Sequence, residues 1–318
     1  MRTLIIGDGH DKWTTITPLI DKIVGRYDVN RIVLMGDLLN DWSISAVDEL
    51  REIKHLHDWI SSQTIRVDVL AGNHDAYYLL DASDHSYGAD EVWNQSPGHH
   101  YEFRGDVHEL LTRLPRPIQA STVIHSNHED WLLSHAGVTS TWFQLHLDGT
   151  KRDPEKISHD VNRMLEVSDW DQLYTIGVGR GGRSTPSPLW ADKKELLDDP
   201  LPGISQIVGH TPVPTVEEWM RHKDEGTSRW PIVFVDTMST LPDGSRIGDW
   251  TALICDDDDI TTISLENPGE LVPLHREYDT RYEQIIAEWR ARRAHDSQTI
   301  DDDAPAWRNR KRHHDSHK

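Results

Sequence analysis

The chain has one cysteine, three phenylalanines, and no apolar run long enough to cross a bilayer. The lone Cys255 excludes an intramolecular disulfide. Within "WTALICDDDD" it reads as a small buried hydrophobe rather than a nucleophile. With no stretch of about eighteen apolar residues, no membrane span is expected. The opening "MRTLIIGDGH" is too short in apolar residues for a leader and reads as a first strand. The missing leader and the single cysteine give the cytoplasm as the expected location. Positive charge is also scarce: 33 Lys and Arg against 54 Asp and Glu leave a formal net charge of −21. That argues against nucleic-acid binding, which rests on neutralising phosphates with basic side chains. It leaves anionic substrates open, because bound divalent cations can invert the local field. Hydrophobic residues at 36% and charged residues at 27% fit a soluble globular chain rather than a disordered one.

The first third alternates regularly. "RTLIIGD" (2–8), "RIVLMGD" (31–37) and "TIRVDVLAGN" (64–73) are short apolar runs. Between them Ile16, Leu19, Ile20, Ile23 and Val24, then Val47, Leu50, Ile53, Leu56 and Ile60, recur at helical spacing, with Ser45 as a cap for the second helix. This β-α-β-α-β order predicts a parallel α/β core with right-handed crossovers. Residues 76–119 read as a polar, irregular insertion, and 121–137 as a hairpin around Asn127, His128 and Glu129. Residues 138–200 are mixed and partly helical. Strands are expected at 204–210, 230–237, 249–256 and 260–265, and a helix at 278–294. The organisation expected is one domain over 1–295, with 76–119 and 138–200 as insertions capping the site, and a disordered polar tail over 296–318.

The chemistry sits where the apolar runs end. They end in Asp8-Gly9-His10, Gly36-Asp37, Gly72-Asn73-His74-Asp75, Ser134-His135 and Gly209-His210. Open α/β sheets bind ligands at the carboxyl ends of their strands, so these residues are expected at one edge. A lone strand-end His is usually structural; five such ends together read as one site. The donors are carboxylate, carboxamide and imidazole with no thiolate, which suits Mn²⁺, Fe, Zn²⁺, Co²⁺ or Ni²⁺ over Ca²⁺. They are too many for one tetrahedral ion, and two ions sharing a bridging carboxylate would use them all. Such pairs, about 3.5–4 Å apart, suit in-line displacement at phosphorus.

In this order, "GDGH", "GDLLND", "GNHD", "SHAG" and "GHTP" resemble the five motifs of the calcineurin-like metallophosphoesterases, over roughly residues 2–265. The branch of Ser/Thr protein phosphatases and dinucleoside polyphosphate hydrolases is the most similar, with a later "DT" at Asp236-Thr237. The resemblance implies a four-layer αββα sandwich of two mixed sheets flanked by helices. It implies two divalent metals, Mn²⁺ the first choice, one held by Asp8, His10 and Asp37, the other by the bridging Asp37 with Asn73, His135 and His210. It implies a hydroxide between the metals as nucleophile, no covalent intermediate, and His74 as the general acid, for which a pKa near neutrality is apt.

Three positions depart from the family pattern. Asp11 follows His10 where Gly is usual, as an outer partner of the metal or as surface. Asn40-Asp41 stands where protein phosphatases carry Asp-Arg, so Asn40 or Asp41 would have to orient His74. Pro212 replaces the second His that many phosphodiesterases carry, leaving one metal an open face. The phosphate-gripping Arg must then come from elsewhere, and Arg180 or Arg183 in "GVGRGGRSTPSPLWAD" is the candidate. The expected activity is hydrolysis of phosphate monoesters, from a phosphoprotein or nucleotide partner. The alternatives are a phosphodiesterase or dinucleoside polyphosphate hydrolase and, of another class, a binding module that has kept the fold.

Overall fold

The computed structural model describes residues 1–277 apart from 43, 220–229, 258 and 275. The helix expected at 278–294 and the tail at 296–318 lie outside the described residues. Strand β1 (Thr3–Ile6), helix α1 (Trp13–Tyr27), β2 (Arg31–Leu34), α2 (Ala46–Ser62) and β3 (Arg66–Val69) follow the alternation read from the sequence. Residues 76–119 are not irregular: they fold into α3 (Ala76–Leu79), α4 (Tyr87–Gln95) and α5 (Arg104–Thr112). Their apolar spacing is sparse, with Val92, Val107 and Leu111 the main buried anchors, which is why the pattern was hard to read. The hairpin is β4 (Ser121–His125) and β5 (Asp130–Ser134). It is followed by α6 (Ser140–His146), α7 (Pro154–Glu166), α8 (Trp170–Leu173) and α9 (Lys193–Asp198). Then come β6 (Ser205–Val208), β7 (Glu217–Trp219), β8 (Ile232–Phe234), β9 (Thr251–Cys255), β10 (Ile260–Ser264), β11 (Val272–Pro273) and β12 (Arg276–Glu277). Strand β7, only three residues long, has no apolar run to announce it.

Two mixed sheets result, ordered β11-β10-β9-β1-β2-β3 and β12-β7-β8-β6-β5-β4. In the first, β1, β2 and β3 are parallel while β9 runs antiparallel to β1; in the second, β5, β6 and β8 are parallel. The two-residue period of a strand sorts the side chains into layers. Ile5 and Val33 point between the sheets, with Leu133, Ile207, Val233 and Cys255. Leu4, Ile6, Ile32 and Leu34 face the other way, into the cluster with Ile16, Ile20, Ile53 and Leu56 of α1 and α2. Val123 and Leu132 on the outer face of the second sheet share a cluster with Ile157 and Val161 of α7. The αββα sandwich is thus written in alternating apolar residues. Burial pushes the Cys255 thiol up, as for an inert packed side chain. At the amino end of β2, buried Arg31 bonds Asp68 Oδ2 (2.8 Å), Val123 O (2.8 Å) and Thr122 Oγ1 (2.8 Å), tying the sheets together at the pole opposite the strand ends. Among the described residues no helix is long and apolar enough to cross a membrane.

Helix α2 starts as expected, Ser45 Oγ accepting the Asp48 amide at 3.2 Å. Its buried face is shifted from the expected stripe: Val47 is 56% exposed, while Glu49 and Trp59 are buried. Glu49 Oε1 accepts from Tyr78 Oη at 2.5 Å and Oε2 has no partner. Burial pushes the Glu49 carboxyl up, with Glu102 adding to the rise and Tyr78 and His100 opposing it; Asp11 is a further acidic neighbour. A raised carboxyl favours the neutral acid in the folded chain. The burial therefore costs little below the unfolded glutamate's pKa and costs stability as pH rises through it and beyond. Glu49→Gln should raise the Tm at pH 8 and change it little at pH 4. A lower Tm at pH 8 in a thermal-melt series would refute this.

Candidate metal centre and active site

The carboxyl ends of β1, β2, β3, β5, β6 and β8 meet at one edge, and their loops are tightly wound. His10, Asp37, Asn40 and His210 take φ of 40°, 48°, 67° and 65°, left-handed values costing side-chain-bearing residues of order 1–3 kcal/mol each. Two glycines permit close approach. A Cβ on Gly72 would lie 2.1 Å from Asp37 Oδ1, and one on Gly209 2.1 Å from Asp8 Oδ1. Any larger residue would fill the space these carboxylates occupy.

Asp37 is the centre. Its Oδ2 lies 3.3 Å from His135 Nε2, 3.8 Å from His74 Nε2 and 3.9 Å from His10 Nε2. Two triads, His10-Asp37-His74 and Asp37-His135-His210, each gather possible ligand atoms within 4.8 Å of one another. Burial opposes ionisation of Asp37, but His135, His74 and His10 outweigh it and hold the carboxyl well below its usual range. His135 Nδ1 donates to Met35 O at 2.9 Å, so its neutral form turns a lone pair on Nε2 toward acceptors. That nitrogen faces Asn73 Oδ1 at 3.0 Å, His210 Nδ1 at 3.2 Å and the Asp37 oxygen. His10 Nδ1 is likewise spent on Leu39 O at 3.0 Å, which fixes Nε2 toward Asp37. Asp8 Oδ2 accepts the His210 amide at 2.8 Å, yet its Oδ1 and His210 Nε2 are buried with no partner. Burial raises the Asp8 carboxyl well above its usual value, and Asp236 and Asp37 raise it further. Burial likewise lowers His10 to about 3. Acceptors packed around acceptors, with orphaned oxygen and nitrogen at the centre, fit divalent cations bound by mixed O and N donors.

The six expected ligands, Asp8, His10, Asp37, Asn73, His135 and His210, are all brought to this edge, and His74 with them. A cavity of about 360 Å³ opens beside them, lined by His74, Asn40, Asp41, Arg180 and Pro212 among others. Arg180 Nη2 bonds Thr211 Oγ1 at 3.0 Å and His210 O at 3.3 Å, and Nε pairs with Asp192 at 3.1 Å. Arg183 is exposed and does not line this cavity. The hydrogen bond expected from Asn40 or Asp41 to His74 is absent. Asn40 Nδ2 donates to Pro97 O at 3.1 Å, and its Oδ1 lies 3.4 Å from Tyr78 Oη, whose hydrogen goes to Glu49. Asp41 is held by Lys12 Nζ at 3.0 Å and Thr240 Oγ1 at 2.8 Å, while His74 Nδ1 is buried without a partner. Asp11 is buried rather than on the surface, and its Oδ2 accepts the Asp41 amide at 3.1 Å.

Two residues without an expected role stand out. Asp75 Oδ1 accepts the Leu38 amide and Oδ2 the Gly72 amide, each at 2.8 Å, pinning the loops after β2 and β3 together. Burial, then Asp37, pushes its carboxyl up to about 7. Asp236, buried after β8, is held by Ser239 Oγ at 2.8 Å and raised to about 6 by burial and Asp37. The sequence marks it as the "DT" at the end of the strand expected at 230–237, without a role.

An edge of parallel strands that gathers imidazoles and carboxylates around one shared oxygen is suited to holding divalent metal ions. Residues 1–251 match the model of the calcineurin-like phosphoesterases, and the chain belongs to that family. It is a metal-dependent phosphoric ester hydrolase, and the family implies a pair of divalent ions. Among solved structures it is similar to a cold-active protein-tyrosine phosphatase of a psychrophilic Shewanella species, with 15% identity over 85% of this chain and 80% of that one, TM-score 0.47. It is also similar to YfcE, a phosphoesterase from E. coli, with 12% identity over 86% of this chain and 100% of that one, TM-score 0.38. A metallophosphoesterase from Sphaerobacter thermophilus has 13% identity over 86% of this chain and 89% of that one, TM-score 0.35. These values carry no argument about substrate. A search of curated proteins returned no match.

Proposed function

We propose that the chain is a phosphomonoesterase like the Ser/Thr protein phosphatases, acting in the cytoplasm on phosphorylated substrates, with Mn²⁺ as its metal. Asp8, His10 and Asp37 would hold one ion, and Asp37, Asn73, His135 and His210 the other. The observation that carries this reading is the convergence of His10, His74 and His135 on Asp37 Oδ2 beside a cavity with an arginine in its wall. When bound, the two cations supply positive charge at phosphoryl oxygens and lower the pKa of water. His74 gives a proton to the leaving oxygen, and its position on the cavity wall lets it reach a bound ester. Arg180, with Nη2 anchored to the His210 loop and Nε paired with Asp192, binds a phosphate oxygen through Nη1. Asn40 and Asp41 act by shaping the wall: Asn40 braces the Pro97 loop, and Asp41 the Thr240 loop. Pro212, where a further His would close the metal's coordination in diesterases, favours monoesters.

The test is hydrolysis by metal-stripped protein reconstituted with Mn²⁺. Its substrates are p-nitrophenyl phosphate, bis-p-nitrophenyl phosphate and a diadenosine polyphosphate. The monoester should lead in kcat/KM by at least about tenfold, equivalent to about 1.4 kcal/mol in the barrier. A lead for the diester or dinucleotide would replace the substrate class. No turnover with two ions bound would leave a binding module.

A further inference from the structure

The cavity is unequal in its chemistry. One side carries the ligand cluster and Arg180, and among the described residues no other Arg or Lys lines it. The lining also carries an apolar set, Trp42, Ile44, Leu241, Pro242 and Ile247, interspersed with Asp41, Ser239 and Thr240. Two of these are large side chains left open to water, Trp42 at 70% exposure and Leu241 at 47%. They come from loops far apart in sequence, one between β2 and α2 and the other between β8 and β9. A single carboxylate holds the loops together: Asp41 takes Lys12 Nζ at 3.0 Å on one oxygen and Thr240 Oγ1 at 2.8 Å on the other. Trp42 directly follows Asp41, and Leu241 directly follows Thr240. The clamp therefore sets the two apolar side chains on the rim of one cavity.

This wall constrains the substrate in two ways. A polyphosphate chain brings a negative charge for every phosphate, and beyond the metals Arg180 is the one Arg or Lys among the described lining residues to meet it. Only the phosphate at the metals is well matched, which favours a substrate with one. The group carrying that phosphate must leave water for an apolar wall containing an indole, which favours a flat ring over a sugar or polyol.

Building on the monoesterase reading above, we propose that this site selects aryl phosphate monoesters, in which a single phosphate is borne by an aromatic ring seated against Trp42, Ile44, Leu241, Pro242 and Ile247. The chemistry is shared by small aryl phosphates and by phosphotyrosine side chains. The step is the ordinary hydrolysis: water's oxygen bonds phosphorus and gives up one proton to solvent, the aryl oxygen–phosphorus bond breaks, and the aryl oxygen leaves with a proton from His74, which solvent restores.

Aryl phosphates also react faster because phenols are better leaving groups, so the test reads binding rather than rate. Competitive inhibition by benzylphosphonate and methylphosphonate is measured on the full Mn²⁺-loaded chain with p-nitrophenyl phosphate as reporter. The Ki for benzylphosphonate should be lower by at least about tenfold, the scale of an aromatic contact together with its buried area. Trp42→Ala should remove most of that ratio and Trp42→Phe should keep it. Leu145→Ala, an exposed apolar site on α6 outside the cavity, should leave the ratio unchanged. Equal Ki values, or a ratio indifferent to Trp42→Ala, would overturn the proposal. Preferred hydrolysis of diesters with the inhibitor ratio intact would instead overturn the monoesterase reading alone. The source is then assigned by comparing free phosphotyrosine with a phosphotyrosine peptide. A KM lower by at least about tenfold for the peptide supports a protein substrate, and equal values support a small aryl phosphate.

Discussion

Asp37→Asn is expected to bring the metal content of the purified chain from two ions to one or none, and to lower kcat/KM by at least about a thousandfold. The magnitude follows from metal charge being worth several kcal/mol at the transition state. The substitution preserves volume and keeps one oxygen, so the loop geometry should survive. Asp37 Oδ1, which accepts the His74 amide at 3.0 Å, has a counterpart in the carboxamide. What disappears is the charge, and with it one of the two acceptors. Oδ2 is the atom approached by His135 at 3.3 Å, His74 at 3.8 Å and His10 at 3.9 Å, so both triads lose a shared ligand in one change. Asp37 is the one residue common to both triads, so no neighbour substitutes for it. Elemental analysis and steady-state kinetics on the same preparation decide the matter. Two retained ions with activity within tenfold of the parent would mean that Asp37 is not the bridge.

Much of this centre could be read from the chain, because it is built from local rules. A strand that ends in Gly-Asp or Gly-His declares both its direction and its donor, and three such strands separated by amphipathic helices are necessarily parallel. Once the direction is known, Asp8, Asp37 and His74 fall at one edge without further information. What could not be read depends on contacts between distant segments. Nothing near Asn40 announces that Pro97, on an insertion that looked irregular, takes its amide hydrogen. Nothing near Asp41 announces Thr240, almost two hundred residues later, as its partner. The choice between Arg180 and Arg183 is of the same kind. Both sit among glycines, and only Thr211 and Asp192, from neighbouring segments, draw Arg180 into the cavity wall. Asp236 was legible in principle, since it ends β8 as the others end their strands. The sequence shows it in the "DT" that closes the strand expected at 230–237, but nothing local announces that it faces Asp37, from a segment far earlier in the chain.

His74→Asn is expected to lower kcat by about 10²–10⁴-fold for an alkyl phosphate while both metals stay bound. Placement leaves two roles open to this side chain. Its Nε2 belongs to a triad with His10 and Asp37 that could hold an ion, yet it also lines the cavity. The two roles differ in what they do to metal content and in how they depend on the leaving group. A proton donor matters most where the departing oxygen is strongly basic, and little where it is stable as an anion. The loss should therefore be large for an alkyl phosphate, smaller for phenyl phosphate, and smallest for p-nitrophenyl phosphate. A metal ligand would give the same loss for all three, together with a missing ion. His74 Nδ1 is buried with no partner, whereas His10 and His135 each spend that nitrogen on a backbone carbonyl. The two rings pinned in this way are oriented as ligands are. The His74 ring lacks that orienting bond, which favours the graded outcome. A flat loss with one ion gone would instead move His74 into the metal's coordination, and the acid would have to be sought elsewhere on the cavity wall.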